Sequence, residues 1–390
     1  MSRLVYLDNA ATTAVDPRVV EAMSSCLGED GDFANPSSVS HAPGRRARER
    51  VEAARAQVAA LVGADSSCVV FTSGATESDN LAVLGAARFY RARGRHLVTS
   101  RTEHPAVLAA CRQLEREGFE VTYLKPGSDG IVEPAQVEEA LRPDTILVSL
   151  MHVNNEIGVV QDVGAVGRLC RARGVILHVD AAQSAGKLPI DVERDSIDLL
   201  ALTAHKMHGP KGAGALCVRR EPRLGLAPLL FGGGQERSLR PGTLATHQVV
   251  GLGEACRIAA AQMVDDGARI TALRERLWAG LAGLPGVMLN GHATRRVPGI
   301  LNVAFDGVEG ESLLFALAGL AVASGSACAT TNAEPSYVLR ALGRSDRLAQ
   351  SSLRLSLGRF TTGDDIELAL RDIVATVERL RAVAPWRVTA

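Results

Sequence analysis

The 390-residue chain has no surplus of charge of either sign: lysine plus arginine and aspartate plus glutamate number 43 each. A chain so balanced carries no global field to recruit nucleic acid or an acidic membrane surface, so binding is expected to be local. Long apolar runs are missing as well. The best of them, "LLFALAGLAVA" from Leu313 to Ala323, is too short to span a bilayer and fits a core helix. The N-terminal "MSRLVYLDNAATT" has no basic segment followed by an apolar stretch and does not read as a secretory signal, so a cytoplasmic protein is expected. No two of the seven cysteines form a CxxC pair, which argues against a disulfide framework and a zinc site, and no metal is expected. Neither GxGxxG nor GxxxxGK[ST] occurs, which leaves dinucleotide and Walker-type nucleotide sites unsupported. Internal repeats and low-complexity linkers are absent too.

What is present is a pattern. From about residue 50 to 220, short β-branched runs ("CVVFTS", "HLVTS", "EVTYLKP", "TILVSLMHV", "VILHVD", "DLLALTA", "GALCVRR") alternate with amphipathic helical stretches such as "HPAVLAACRQLEREG". Such alternation predicts an α/β fold with a mostly parallel central sheet covered on both faces. Beyond "FGGGQERSLRPGT" the helical stretches lengthen, in "ATHQVVGLGEACRIAAAQMVDD" and "ITALRERLWAGLAGL", and a strand "GILNVAFD" follows. The shift predicts a large domain over 16–257 and a smaller α+β domain made of 1–15 with 258–390. The polar segment 28–48 reads as an ordered surface loop between two helices.

Six cysteines read as structural: Cys26, Cys111, Cys170 and Cys256 in helical patterns, Cys68 and Cys217 at or in strands. Cys328 differs. It lies in "VASGSACATTN", where glycine, alanine, serine and threonine offer a sulfur little to pack against, and an accessible thiolate there is reactive.

In an open parallel sheet ligands sit at the carboxyl ends of the strands. Those ends are unusually polar here: "SGATESDN" after "VVFT", His104 in "TEHPAV", Asn154, Asn155 and Glu156 in "NNEIG", Asp180 and Gln183 in "DAAQ", His205 and Lys206 in "AHKMHGPKG". A small-residue turn opening a helix can hold a phosphate or be an ordinary cap. Taken together, "SGAT", Asp180 and Lys206 supply an anion nest, a carboxylate and an amine. Those serve a cofactor with a phosphate, a ring nitrogen that works best protonated, and an aldehyde held as a Schiff base. That is the chemistry of pyridoxal 5'-phosphate.

The sequence resembles the cysteine desulfurases of the bacterial NifS and IscS group, within the class-V aminotransferases and the fold-type I pyridoxal phosphate transferases. The motifs run nearly end to end: "YLDNAATT", "ANPSSVSHAPGRRAR", "FTSGATESDN", "TEHPAV", "MHVNNEIGVVQD", "HVDAAQSAGK", "AHKMHGPKGAGAL", "FGGGQERSLRPGT", "SGSAC", "EPSYVLRALG" and "SSLRLSLGRFT". The resemblance implies that Lys206 carries the cofactor and acts as base. Asp180 would pair with the ring nitrogen, Gln183 with the phenolic oxygen, and His104 would stack on the ring and move a proton near the substrate sulfur. Ala75, Thr76, Thr203 and His205 would bind the phosphate, joined by Thr243 of a neighbouring subunit, which implies a homodimer. Arg354 would bind the substrate carboxylate, helped by Asn155, which also borders the cofactor. Cys328, on a loop of about residues 322–333, would take the sulfur of L-cysteine as a persulfide, release L-alanine, and pass the sulfur on.

The resemblance favours the IscS-like subgroup, although Thr203 stands where serine is common and "CATTNAEPS" replaces a more usual run. The chain stops at "APWRVTA", without the longer tail by which housekeeping members dock an iron–sulfur scaffold. The expected acceptor is accordingly either an iron–sulfur cluster scaffold or a thiolation protein. Another fold-type I aminotransferase serves the same Lys206, Asp180 and Arg354, and Cys328 argues against it. Selenocysteine lyase activity is a substrate variant of the same mechanism. A non-catalytic sulfur carrier is opposed by the intact cofactor set.

Overall fold

A computed structural model describes residues 4–324 and 334–383. The N-terminal part holds a short strand β1 (Val5–Tyr6) and two helices, α1 (Pro17–Ser24) and α2 (Ala42–Leu61). Helix α2 begins inside the segment read as a loop. His41 caps it, Nδ1 accepting the Gly44 N–H at 3.1 Å, and the proline that follows suits a first helical turn, so the loop ends at residue 41 rather than 48.

The alternating region then runs β2 (Val69–Thr72), α3 (Ala75–Phe89), β3 (His96–Ser100), α4 (Pro105–Arg116), β4 (Glu120–Leu124), α5 (Pro134–Ala140), β5 (Thr145–Ser149), α6 (Val163–Ala172), β6 (Ile176–Asp180), β7 (Leu199–Thr203) and β8 (Gly214–Val218). Its seven strands form one sheet in the order β2-β8-β7-β6-β5-β3-β4. Every pairing is parallel except those of β8, which runs antiparallel to both β2 and β7. The central strands β5 to β8 are buried along their whole length, as a sheet covered on both faces requires. One face packs on α1, α2, α5, α6 and the following helix through residues such as Val19, Val58, Val166 and Leu252. Leu81, Val107 and Leu114 of α3 and α4 cover the other.

That following helix, α7 (Thr246–Ala282), is 37 residues long and continuous where the sequence suggested two. Four glycines, Gly251, Gly253, Gly267 and Gly280, interrupt its better helix formers at a cost of about 1 kcal/mol each, and no proline stands in the way. Its first half contributes Val249 and Leu252 to the sheet core and its second half Leu277 and Leu281 to another core. The C-terminal part runs β9 (Val287–Leu289), β10 (Ile300–Phe305), α8 (Gly310–Ala316), β11 (Leu320–Ala321), β12 (Ala323–Ser324), α9 (Tyr337–Ala341), α10 (Asp346–Gln350), β13 (Ser352–Ser356) and α11 (Gly363–Val383); the second core joins β9, β10, α8, β11, β13 and α11, while α9 and α10 pack through Val338, Leu339 and Ala349 on Ile131, Ile157 and Val159. An antiparallel sheet β12-β13-β10-β9 forms its centre, and β1 returns to pair with β11. The first residues of the chain are thereby tied to its last third. No helix among the described residues is long and apolar enough to cross a membrane.

Candidate active site

The carboxyl ends of β2, β6 and β7 and the turns after β3 and β5 open onto one cleft of about 530 Å³. Ala75, Thr76, His104, Asn155, Asp180, Gln183, Thr203, His205 and Lys206 all line it. Sequence separations of up to about 130 residues thus collapse onto one edge, because parallel strands deliver all their carboxyl ends to the same side.

Lys206 follows β7 in a single tight turn. Its Nζ donates to the Ala10 carbonyl at 2.9 Å, and burial, against the opposing pull of Asp180, brings its amine down to about 8. At that value about half the amine is neutral at pH 8, against roughly 0.3% for an unperturbed lysine, so a nucleophilic and basic form is available near neutrality. Asp180 ends β6 buried, with Oδ1 accepting the Ala182 N–H at 2.8 Å. His104 caps α4, its Nδ1 accepting the Ala106 N–H at 3.2 Å. Burial pushes its pKa down, so the ring is neutral, and because Nδ1 accepts, the proton sits on Nε2. Gln183 Nε2 donates to the same Ala10 carbonyl at 2.8 Å.

At the other end of the cleft, α3 begins on Gly74, which has φ 152° and gives the helix no side-chain cap. Ala75 and Thr76 open that helix and line the cleft, and the first amides of a helix, having no intrahelical partner, favour an anion there. Gly214 of β8 lies directly beneath, so close that a Cβ on it would stand 2.6 Å from Gly74 Cα. His205 Nδ1 is 3.1 Å from Thr12 Oγ1, and Thr203 Oγ1 donates to the Ala213 carbonyl at 3.3 Å.

Arg354, on β13, is joined to the cleft through Asn155: its Nη1 donates to the Asn155 carbonyl at 3.0 Å, while Nη2 pairs with Asp8 at 2.8 Å. Its Nε and the Asn155 Oδ1 are both buried without a hydrogen-bond partner among the described residues. Unmade hydrogen bonds of this kind are costly; Asn155 lines the cleft, and Arg354, which does not, stands directly behind it. Thr243 does not line this cleft and is exposed on the chain's own surface. Cys328 lies outside the described residues. The strand that leads to it does not: Ala323 of β12 pairs directly with Arg354. The other six cysteines are free and buried, in keeping with a structural reading, although Cys26 falls just past the end of α1 rather than within it.

Three contributors were not singled out from sequence. Thr12 and the Ala10 carbonyl come from "DNAATT", and Lys211 from the turn after Lys206. A backbone carbonyl has no side-chain signature, and Thr12 becomes a neighbour of His205 only through contacts spanning 193 residues.

These residues fit pyridoxal 5'-phosphate. An uncapped helix start matches its phosphate, a buried carboxylate its ring nitrogen, a depressed amine its aldehyde and an N–H donor its phenolic oxygen.

The chain matches the aminotransferase class-V family over residues 5–369. It is 59% identical to the cysteine desulfurase IscS of Pseudomonas aeruginosa over 98% of this chain and 94% of the relative. Among solved structures, a NifS-like protein superposes with a TM-score of 0.90 at 35% identity, covering 97% of this chain and all of the other. SspA in complex with cysteine gives 0.81 at 38% identity, covering 92% and 99%. With Lys206, Asp180 and His104 gathered in one cleft, this chain belongs to the class-V aminotransferase family, among the cysteine desulfurases of the IscS and NifS kind, which depend on pyridoxal 5'-phosphate.

Proposed function

We propose that the protein is a cysteine desulfurase that converts L-cysteine to L-alanine and carries the released sulfur on Cys328 as a persulfide. The observation that carries this reading is the meeting of a depressed lysine amine, a buried aspartate and a neutral histidine in one cleft, in a chain 58–59% identical to named cysteine desulfurases. When bound, the cofactor supplies an electron sink for charge developing at the substrate α-carbon.

The protein's own groups do the rest. Arg354 and Asn155 hold the substrate carboxylate, Arg354 with the Nε that has no partner among the described residues. Lys206, whose buried amine is brought down to about 8, would take the substrate α-proton as a neutral base. His104 offers its Nε2 proton near the substrate sulfur. Cys328, as thiolate, attacks that sulfur; the new S–S bond forms as the C–S bond breaks, and the electron pair left on carbon is protonated on the way to alanine. Ala75, Thr76, Thr203 and His205 bind the phosphate. Thr243, exposed on its own chain, completes that site in the partner of a homodimer. Residues 16–257 form the cofactor-binding unit, and 1–15 with 258–390 the unit that brings Cys328 and Arg354. The sulfur then passes to an acceptor protein, an iron–sulfur scaffold or a thiolation protein, in the cytoplasm.

The test is spectroscopic. Lys206→Ala should give no change in the visible absorbance on adding L-cysteine, whereas Cys328→Ala should still respond, because binding precedes sulfur transfer. A Cys328→Ala protein blind to cysteine would refute this division of roles.

A further inference from the structure

Lys187 lies two turns of chain beyond β6, in the stretch that "HVDAAQSAGK" closes. The preceding Gly186 takes φ 73°, in a spot where a Cβ would press on Ala259 Cβ at 3.0 Å, and this turn brings Lys187 back to Gln183. Its Nζ donates to Gln183 Oε1 at 3.0 Å. The other end of that amide donates to the Ala10 carbonyl, which also accepts from Lys206. The four groups form one continuous run: Lys187, Gln183, Ala10 and Lys206.

Lys187 does not line the active-site cleft. It borders a separate small cavity of about 50 Å³, and among the described residues Lys206 alone lines both. The hydrogen-bonded route from Lys187 to a bound cofactor therefore runs through Gln183, while its charge also acts directly on Lys206. An amide can be turned end for end at almost no steric cost, so its direction is set by its partners. A reversed Gln183 would set its oxygen against the Ala10 carbonyl, a mismatch in any protonation state, and its NH₂ against the Lys187 amine, a second mismatch whenever that amine is protonated. Burial, with Lys206 and Arg354 adding to it, pulls the Lys187 amine down to about 7, and the group remains an N–H donor in either protonation state.

We propose that Lys187 is a positioning residue for the phenolic edge of the cofactor, holding the Gln183 amide so that its second N–H faces the cleft and is strengthened as a donor. This rests on the cofactor-dependent reading above. A stronger donor draws charge from the phenolic oxygen, which makes the nitrogen that joins cofactor to Lys206 less basic. Loss of Lys187 should make it more basic.

The experiment titrates the visible band of the bound cofactor in wild-type, Lys187→Met and Lys187→Arg holoenzymes, with melting temperature measured alongside. The midpoint should rise in Lys187→Met by about one pH unit, a tenfold change in proton affinity, and stay near wild type in Lys187→Arg, which keeps a donor. A Lys187→Met midpoint equal to wild type overturns the proposal, and a lowered melting temperature with that unchanged midpoint marks Lys187 as merely structural. Should Lys187→Met fail to fold, Lys187→Gln replaces it: an intermediate midpoint is expected, and a wild-type midpoint overturns the proposal. Wild-type protein that stays colourless with added cofactor would instead refute the cofactor-dependent reading itself.

Discussion

Gly214→Ala is the smallest change that should disturb the phosphate end of the cleft without touching a ligand-binding side chain. Gly214 pairs with Thr72 on one side and Thr203 on the other. Its added methyl would stand 2.6 Å from Gly74 Cα, 2.8 Å from Gly74 C and 2.7 Å from the Leu202 carbonyl oxygen. Ordinary contact begins near 3.4 Å, and all three neighbours are backbone, so no side chain can swing aside. Relief of about 0.8 Å must come from moving β8 or the turn at Gly74, and that turn carries Ala75 and Thr76 with it. Overpacking of this kind costs about 1–3 kcal/mol, which for a chain of this size lowers the melting point by a few degrees. A shift approaching 1 Å at a ligand's anchoring amides should weaken cofactor binding roughly 10- to 100-fold. Apoprotein titrated with pyridoxal 5'-phosphate, followed by absorbance, measures this directly. Gly283→Ala is the control, since nothing lies within 4 Å of its Cβ position. Wild-type cofactor affinity in Gly214→Ala would refute the argument that the β8 backbone sets the height of the anion site.

Two further outcomes follow from the site and its surroundings. Arg354→Lys keeps the charge and loses the fork; it should raise KM for L-cysteine roughly 10- to 100-fold while cofactor binding stays unchanged, and an unaltered KM would count against a carboxylate at Arg354. Stability should respond to acid in two stages. Burial holds His152, His205 and His208 down to about 4 and His178 to about 3, so the native state binds fewer protons than the unfolded chain and loses stability as pH falls from about 6.5. Burial raises Glu156 to about 7 and Glu103 and Asp79 upward, so these gain native stability as pH falls, until the unfolded carboxyls also protonate near pH 4.5. With His96 and His104 also held down by burial, the histidine loss outweighs the carboxyl gain, so the urea midpoint should fall gently from about pH 6.5 to 5 and more steeply below about 4.5; a midpoint that rises from pH 7 to 5 would contradict these assignments.

The parallel sheet was the most legible part of the sequence. Its strands are short β-branched runs, and the rule that ligands sit at their carboxyl ends points to His104, Asn155, Asp180 and Lys206 before any coordinate is known. Continuity was harder to read. The single α7 looks like two helices because its buried stripe changes partner midway, from the sheet core at Leu252 to the C-terminal core at Leu277. The start of α2 was hidden because histidine is an uncommon cap and proline and glycine in the first turn resemble a loop. Least legible were the long-range backbone contacts. The Asp8 to Arg354 pair spans 346 residues, and the Ala10 carbonyl that receives both Gln183 and Lys206 belongs to a residue with no polar side chain. Lys187 shows the same limit: its reach to Gln183 depends on the left-handed turn at Gly186, which a linear motif does not reveal.

The central claim is that this cleft works with Cys328 to move sulfur off L-cysteine. Alanine and sulfide released from L-cysteine in the presence of a reducing thiol, measured side by side for wild type and Cys328→Ser, test it most directly. Equimolar alanine and sulfide from wild type, with neither from the variant, is the predicted result. Activity surviving in Cys328→Ser, or alanine without sulfide, would contradict the account and point to a transaminase or lyase.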